Sequence, residues 1–329
     1  MANNVLNLTV VLPDGTIIKT AQSARKSAAG YNLTQLFIGS EGTLGIISEI
    51  TLKLQRLPEY TSVGVLSFPS IHSAAAAATE LLNSGIQLGC CELLDDKFMS
   101  IINNVNGYNY SIQPHIFFKF TGNQQNVELD IQRTQSIITK YTDSTLKFST
   151  SEAENEKLWE ARKNALWSTI DYYKGKECLI TDVCVPVSCI ADVISDSADD
   201  IRSSWLPGPI VAHVGDGNFH SMIMFDPNKS TDLIEAKRLS HNMVQRAIKA
   251  DGTCSGEHGI GIGKKKYLID ELGSDTVNLM RTIKHAIDPH NIMNPNKIFD
   301  FHENQPTIDQ QYNTVQSTDN TIAPQQDRN

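Results

Sequence analysis

No run of 18 or more apolar residues occurs in the 329-residue sequence, so no transmembrane helix is expected. Basic residues are outnumbered, 28 Lys and Arg against 37 Asp and Glu, for a formal net charge of −9. A nucleic-acid surface needs a basic stripe, and this balance argues against one. The N-terminus "MANNVLNLTVVLPDG" has neither a basic region nor an amphipathic Arg-rich stretch, so no targeting peptide is expected there. The six cysteines (90, 91, 178, 184, 189, 254) include no CxxC pair. Most sit in apolar segments such as "CLITDVCVPVSC", which reads as buried, reduced thiols. What remains is ordinary for a globular protein: 40% hydrophobic, 20% charged, and long enough for two domains or one large one.

Strand and helix patterns alternate along the chain without a long parallel βαβ series, which predicts an α+β fold. "VLNLTVVLPDGTIIKT" reads as a hairpin around a Pro-Asp-Gly turn. "LTQLFIGSEGTLGIISEITLKLQRLP" reads as a Gly-interrupted loop between strand-like runs. "TSVGVLSFP", "HIFFKFTG", "TLKFST", "CLITDVCVP" and "GPIVAHV" read as strands. Ser70 is placed to cap a helix over "IHSAAAAATELLNS", with Gly85 as its stop. Further helices are predicted over "QNVELDIQRTQSIITKY", "IADVISDSADDIRSS", "TDLIEAKRLSHNMVQRAIKA" and "SDTVNLMRTIKHAI". "SEAENEKLWEARKNALWSTIDYY" reads as one long helix with an acidic first turn that suits the helix dipole. From 301 to 329 the chain is polar and Gln/Asn/Thr-rich, the composition of a disordered tail.

Two stretches invite chemistry. In "HVGDGNFH" (213–220) a Gly-Asp-Gly turn interrupts an apolar run between two histidines. With Asp216 and Gly217 as a two-residue hairpin turn, His213 lies opposite His220 on one face, where two imidazoles can share a metal ion. In "GTCSGEHGIG" (252–261), glycines flank Glu257 and His258 and let the backbone approach a ligand closely. His213, His220 and Glu257 make a three-donor set of the kind that leaves a zinc position open for substrate. His258 is then free to act as a base near neutral pH. Spacing alone leaves the alternative open: surface histidines beside a turn, and a Gly-rich loop elsewhere. "GSEGTLGI" (39–46) lacks both the P-loop Lys-Ser/Thr and the GxGxxG pattern, and by itself reads as a tight connection. Arg162, in "LWEARKNALW", is either a solvated or salt-bridged helix residue or a fork for a carboxylate.

Taken in order, "RKSAAGYNLTQLFIGSEGTLGIISEITLKL", "LWEARKNALWS", "TDVCVPVS", "HVGDGNFH", "CSGEHGIG" and "DPHNIMNPNKIF" resemble the FAD-linked D-2-hydroxyacid dehydrogenases, and within them the cytochrome-linked D-lactate dehydrogenases. The resemblance covers residues 4 to 300. It implies a divalent metal, usually zinc, on His213, His220 and Glu257, with His258 as general base. Asn218 is implied as a substrate contact and Arg162 as the grip on the substrate carboxylate. Gly39, Ser40, Glu41, Gly42, Thr43, Gly45 and Ile46 are implied to pack against FAD, with Asn294 beside its ring. The chemistry it implies is a metal that would lower the pKa of the 2-hydroxyl, with His258 taking its proton and a hydride passing to the flavin. Related 2-hydroxyglutarate enzymes carry a Lys shortly before the Asp that matches Asp182. Leu179, Ile180 and Thr181 stand here instead, which fits a monocarboxylate such as D-lactate.

The resemblance also implies three parts: 1–58 as the C-terminal portion of a PCMH-type FAD-binding domain, 59–300 as the substrate and metal domain with an antiparallel sheet and flanking helices, and 301–329 as the tail. The family's FAD domain begins about half a domain ahead of this chain's first residue, including the Gly-rich loop that cradles the pyrophosphate. The chain is therefore expected to be N-terminally truncated and to bind little or no FAD alone. Asn296 stands where the family pattern has Gly, a mild change because Asn tolerates the left-handed region. The implied electron acceptor is cytochrome c or a similar carrier, and the implied compartment is the mitochondrion, with the cytoplasm as alternative. Three further readings are a metal-binding remnant without a flavin site, a D-2-hydroxyglutarate-type dehydrogenase and a metal-dependent hydrolase. The flavin-loop motifs count against the hydrolase.

Overall fold

The protein is described here by a computed structural model covering residues 2–149 and 151–301; the polar tail, Phe301 apart, lies outside the described residues. Packing divides the chain into two units. One gathers the residues up to Leu54 and from Gly259 onward, and the other is Gln55–His258.

The first unit opens with the expected hairpin, β1 (Val5–Val11) and β2 (Ile17–Lys19), registered Val11 to Ile17. Asp14 accepts the backbone N–H of Thr16 at 2.9 Å and turns the loop. "LTQLF", part of a run read as strand-like, is instead α1 (Leu33–Phe37). The side chain of Asn32 caps it by accepting the Gln35 N–H at 3.1 Å, and its apolar residues fall at i, i+3 and i+4, the helical spacing. β3 (Ile46–Leu52) then pairs antiparallel with the other edge of β1, giving the order β2-β1-β3. Leu8, Val10, Phe37 and Leu44 form the buried core of this unit.

The second unit comprises β4 (Tyr60–Ser67), α2 (Ile71–Asn83), β5 (Leu88–Leu94), α3 (Asp96–Asn106), β6 (His115–Gly122), α4 (Gln124–Ile138), β7 (Lys147–Phe148), α5 (Glu152–Lys163), α6 (Ala165–Tyr172), β8 (Glu177–Ile180), β9 (Val183–Cys184), α7 (Ile190–Ser203), β10 (Ile210–His213), β11 (Asn218–Phe225) and α8 (Ser230–Lys249). Its eight-stranded sheet runs β7-β4-β6-β5-β10-β11-β8, with β9 paired to β11. All pairings are antiparallel, as the α+β reading expected. Ser70 caps α2 as predicted, accepting the Ser73 N–H at 3.0 Å. The predicted long helix over 151–173 breaks at Asn164 into α5 and α6. β5 and α3, over "LGCCELL" and "DKFMSIINNVN", are elements that the apolar pattern did not reveal. The chain then returns to the first unit with α9 (Leu268–Leu272) and α10 (Ser274–Ile287).

One face of the large sheet carries Leu94, Val211 and Met222 into a core shared with Phe98 and Ile102 of α3, Ala161 of α5 and Ala165 of α6. Side chains alternate between faces with a period of two. Two residues along each strand, the same face therefore presents Glu92, His213 and His220. The apolar core gives way to polar groups at one end of the sheet.

Candidate functional site

The hairpin between β10 and β11 has a four-residue loop, not the two-residue turn expected. His213 pairs with Asn218 and Val211 with His220. A two-residue type I′ turn needs positive φ at both central residues, and among the described residues only Gly217 of the pair has it, at φ +77°. Gly217 is also obligatory by contact, because a Cβ there would lie 2.0 Å from the carbonyl oxygen of Val185. The register differs from expectation by two residues, so the faces are kept. His213 and His220 are diagonal partners, within reach across an antiparallel pair, with ring centroids 5.5 Å apart at 81°.

Both imidazoles are held by Nδ1. His220 Nδ1 donates to the backbone carbonyl of Thr181 at 3.0 Å, and a carbonyl only accepts, so the neutral ring carries a bare lone pair on Nε2. That Nε2 is buried without a hydrogen-bond partner among the described residues and lies 3.1 Å from Glu257 Oε1. His213 Nδ1 lies 2.9 Å and 2.8 Å from the two oxygens of Glu92, and its Nε2 is 3.8 Å from Glu257 Oε1. His213, His220 and Glu257 thus bring one donor atom each within 4.8 Å of one another. Donors on a tetrahedral zinc with bonds of 2.0–2.1 Å are about 3.3 Å apart. Orphaned Nε2, Nδ1 anchors on both rings and a neighbouring carboxylate are what a metal site requires of its ligands. The residues fit a divalent ion.

A second cluster, Asp182, His220 and His258, is equally close but its carboxylate is committed. Asp182, 1% exposed, accepts Asn218 Nδ2 at 2.8 Å on Oδ1. On Oδ2 it accepts Ser255 Oγ at 2.9 Å and the backbone N–H groups of Glu257 at 3.0 Å and His258 at 2.9 Å. The buried carboxylate folds the Gly-rich loop around itself and aims Glu257. Gly256 makes room for this, since a Cβ there would come within 2.0 Å of Asn218 Nδ2.

Desolvation of the ring lowers the pKa of His220. His213 is raised, because its hydrogen bond to Glu92 outweighs burial. Burial alone would raise Glu92, but its bonds from His213 and the Arg162 charge hold it below the usual carboxylate range. His258, half-exposed, stacks on His220 with centroids 4.9 Å apart at 17°, and its Nε2 is 3.4 Å from Glu257 Oε1. Arg162 reaches this end of the sheet from α5 through Nε (3.1 Å) and Nη2 (2.9 Å), both to Glu92 Oε2. Asn218 spends both amide hydrogens inward, on Asp182 and on the Val183 carbonyl at 2.8 Å. Its Oδ1 is buried and has no hydrogen-bond partner among the described residues. Glu92 and Asp182 are the site residues that sequence reasoning missed. Both are buried carboxylates, rare without partners.

In the first unit, the 39–46 loop and Asn294 meet although about 250 residues separate them. Asn294 Nδ2 donates to the Glu41 carbonyl at 2.5 Å, and the Glu41 carboxylate accepts the backbone N–H groups of Ile260 (2.6 Å) and Gly261 (2.8 Å). Gly39 and Gly42 take φ +82° and +71°; Ser40 and Thr43 are buried, the Thr43 Oγ1 donating to the Ser40 carbonyl at 2.7 Å. Gly45 packs against Val10, and Ile46 begins β3 in the open. Buried Lys284 fixes the arrangement, donating to the carbonyls of Thr43 (2.8 Å) and Met293 (2.9 Å) and to the Asp288 carboxylate. Breaking a buried pair from one side costs about 3–5 kcal/mol, so Lys284→Met is expected to lower stability by about that much. Urea unfolding would show it as a lower midpoint with unchanged slope; an unchanged midpoint would place the Lys284 charge in water.

Residues 57–298 match the family "FAD linked oxidases, C-terminal domain". The chain is 47% identical over 302 residues to a mitochondrial D-lactate dehydrogenase [cytochrome] of Arabidopsis thaliana, covering 92% of this chain and 53% of that one. It is 45% identical to the mitochondrial D-lactate dehydrogenase [cytochrome] 1 of Saccharomyces cerevisiae, covering 94% of this chain and 54% of that one. The chain thus spans about half the length of these curated relatives. Among solved structures its fold is similar to 4-ethylphenol oxidase from Gulosibacter chungangensis in an isoeugenol complex, with a TM-score of 0.69 at 12% identity, over 91% of this chain and 66% of that one. The match over most of the second unit, on an antiparallel α+β scaffold, shows that the chain belongs to the FAD-linked oxidases, a family of oxidoreductases, through their C-terminal domain.

Proposed function

We propose that the chain takes part in the oxidation of D-lactate to pyruvate in the mitochondrion, with FAD as hydride acceptor and cytochrome c or a similar carrier receiving the electrons. The observation that carries this reading is the buried, partnerless Nε2 of His220 beside Glu257, with both imidazoles anchored through Nδ1. His213, His220 and Glu257 would hold a divalent ion, zinc by donor chemistry, and the 39–46 loop with Asn294 would hold part of FAD. Bound there, the ion supplies Lewis acidity to a 2-hydroxyl and the flavin supplies a two-electron sink. Oxidation removes a hydroxyl proton and the C2 hydride, and this chain's own residues act on the first. His258 Nε2, turned toward Glu257, accepts the proton. Arg162 Nη1, the guanidinium nitrogen not bonded to Glu92, takes the substrate carboxylate.

The substrate's far side meets an apolar wall. Ile180 pairs with Met222 in the sheet, which puts it on the face that carries His220, and it is 40% exposed. An apolar group there suits the methyl of D-lactate and offers nothing to the second carboxylate of a 2-hydroxyglutarate.

Calorimetric titration of the zinc-loaded chain with D-lactate tests the reading without flavin. D-lactate is expected to bind the loaded chain and not the metal-free one. Arg162→Lys is expected to weaken it about tenfold or more at unchanged metal content, because an ammonium cannot reproduce the planar fork. Equal binding by parent and variant, or preference for D-2-hydroxyglutarate, would contradict it.

A further inference from the structure

Glu92 sits on β5 directly opposite His213, is 8% exposed, and receives two cationic or donor groups from elements far away in sequence. We propose that Glu92 is a positioning residue that sets the metal ligand His213 and the substrate clamp Arg162 as one unit. The proposal rests on the reading of His213, His220 and Glu257 as metal donors, and it assigns a role to a residue that contacts neither metal nor substrate.

The geometry is specific. By accepting from Nδ1, the carboxylate fixes the His213 tautomer, leaves Nε2 as the donor atom, and makes that atom more basic. Arg162 meets the same carboxylate through Nε and Nη2, both on Oε2. Two nitrogens on one oxygen are not the two parallel bonds of a fork-to-fork pair. Arg162 is therefore held by one edge and keeps Nη1 for another anion. Because His213 Nδ1 is also 2.8 Å from Oε2, the imidazole and the guanidinium are one oxygen apart. The spacing of metal ligand and carboxylate clamp is then set by a single buried side chain.

A merely structural ion pair would tie α5 to the sheet, and its loss would lower stability without touching the metal. The discriminating readouts are the zinc affinity of the full chain by competition with a chromophoric chelator, and the His213 tautomer by 15N NMR of the imidazole. Glu92→Gln is expected to lower zinc affinity about 10–100-fold and to lose the pure Nδ1–H tautomer. D-lactate affinity at saturating zinc is expected to fall about tenfold as well. Arg162→Gln is expected to lose D-lactate binding with zinc affinity kept within about threefold. Glu92→Asp keeps the charge but not the reach, and is read the same way if the Gln variant does not fold. Zinc and D-lactate affinities equal to the parent's in a folded Glu92 variant, with only the melting temperature lowered, would overturn the proposal. A parent chain that binds no zinc would show, before any variant is compared, that the donor-set reading itself has failed, and the proposal with it.

Discussion

Glu257→Ala is expected to cut divalent-metal affinity by about a hundredfold or more, while His258→Ala leaves metal content unchanged. An open site has only three protein donors, so each carries a large share of the affinity; even outer-shell changes cost about 10–100-fold. The two residues are neighbours in one loop, both with backbone N–H groups bonded to Asp182. A general loop defect would therefore affect both alike. Only their side chains differ: Glu257 Oε1 lies 3.1 Å from the orphaned His220 Nε2, whereas His258 stacks on the ring from outside. Metal analysis after gel filtration decides the point. Equal loss in both variants would make the contrast a folding effect and remove Glu257 from the donor set.

The second large effect is expected at a residue that is not a ligand. Asp182→Ala would leave four donors without their acceptor: Asn218 Nδ2, Ser255 Oγ and the N–H groups of Glu257 and His258. Each buried donor left unsatisfied costs about 1–3 kcal/mol. Partial relaxation and water entry reduce the sum, and a net loss of about 3–5 kcal/mol is the expectation. For a unit of this size that is a fall of about 10 °C or more in melting temperature. Metal affinity should fall with it, since the loop that aims Glu257 has lost its anchor. A variant that melts like the parent and keeps its metal would mean that the 252–258 loop holds itself without the carboxylate.

Much of this fold is legible in the sequence wherever a local signal decides. The Ser70 cap, the Pro-Asp-Gly hairpin and the amphipathic helices α7, α8 and α10 are written in adjacent residues. "LTQLF" misleads although its apolar residues at i, i+3 and i+4 and the capping Asn32 both signal a helix, because five residues are too short a run to stand out beside the strand that follows. The 213–220 hairpin misleads in register but not in face: loops of two and four residues preserve the same parity, so His213 and His220 stay on one side either way. The residues proposed as metal donors are readable because their types and flanking glycines are unusual together. Glu92 and Asp182 are not readable in the same way. Glu92 lies in a segment whose strand went unnoticed, 70 residues from Arg162 and 121 from His213. Asp182 reaches its loop partners across 73 to 76 positions. A buried carboxylate declares itself by its partners, and only the fold brings those together.

The central claim is that two imidazoles and one carboxylate at the end of this sheet face hold a metal ion. X-ray absorption at the zinc edge, on the chain loaded with one equivalent of zinc, tests it most directly. The expected result is tight binding of one ion with a first shell of nitrogen and oxygen near 2.0–2.1 Å, including the outer-shell scattering of two imidazoles. All six cysteines are thiols and not disulfides, so a competing site would announce itself by a sulfur shell near 2.3 Å. Sulfur scattering, or failure to retain zinc at all, would contradict the account.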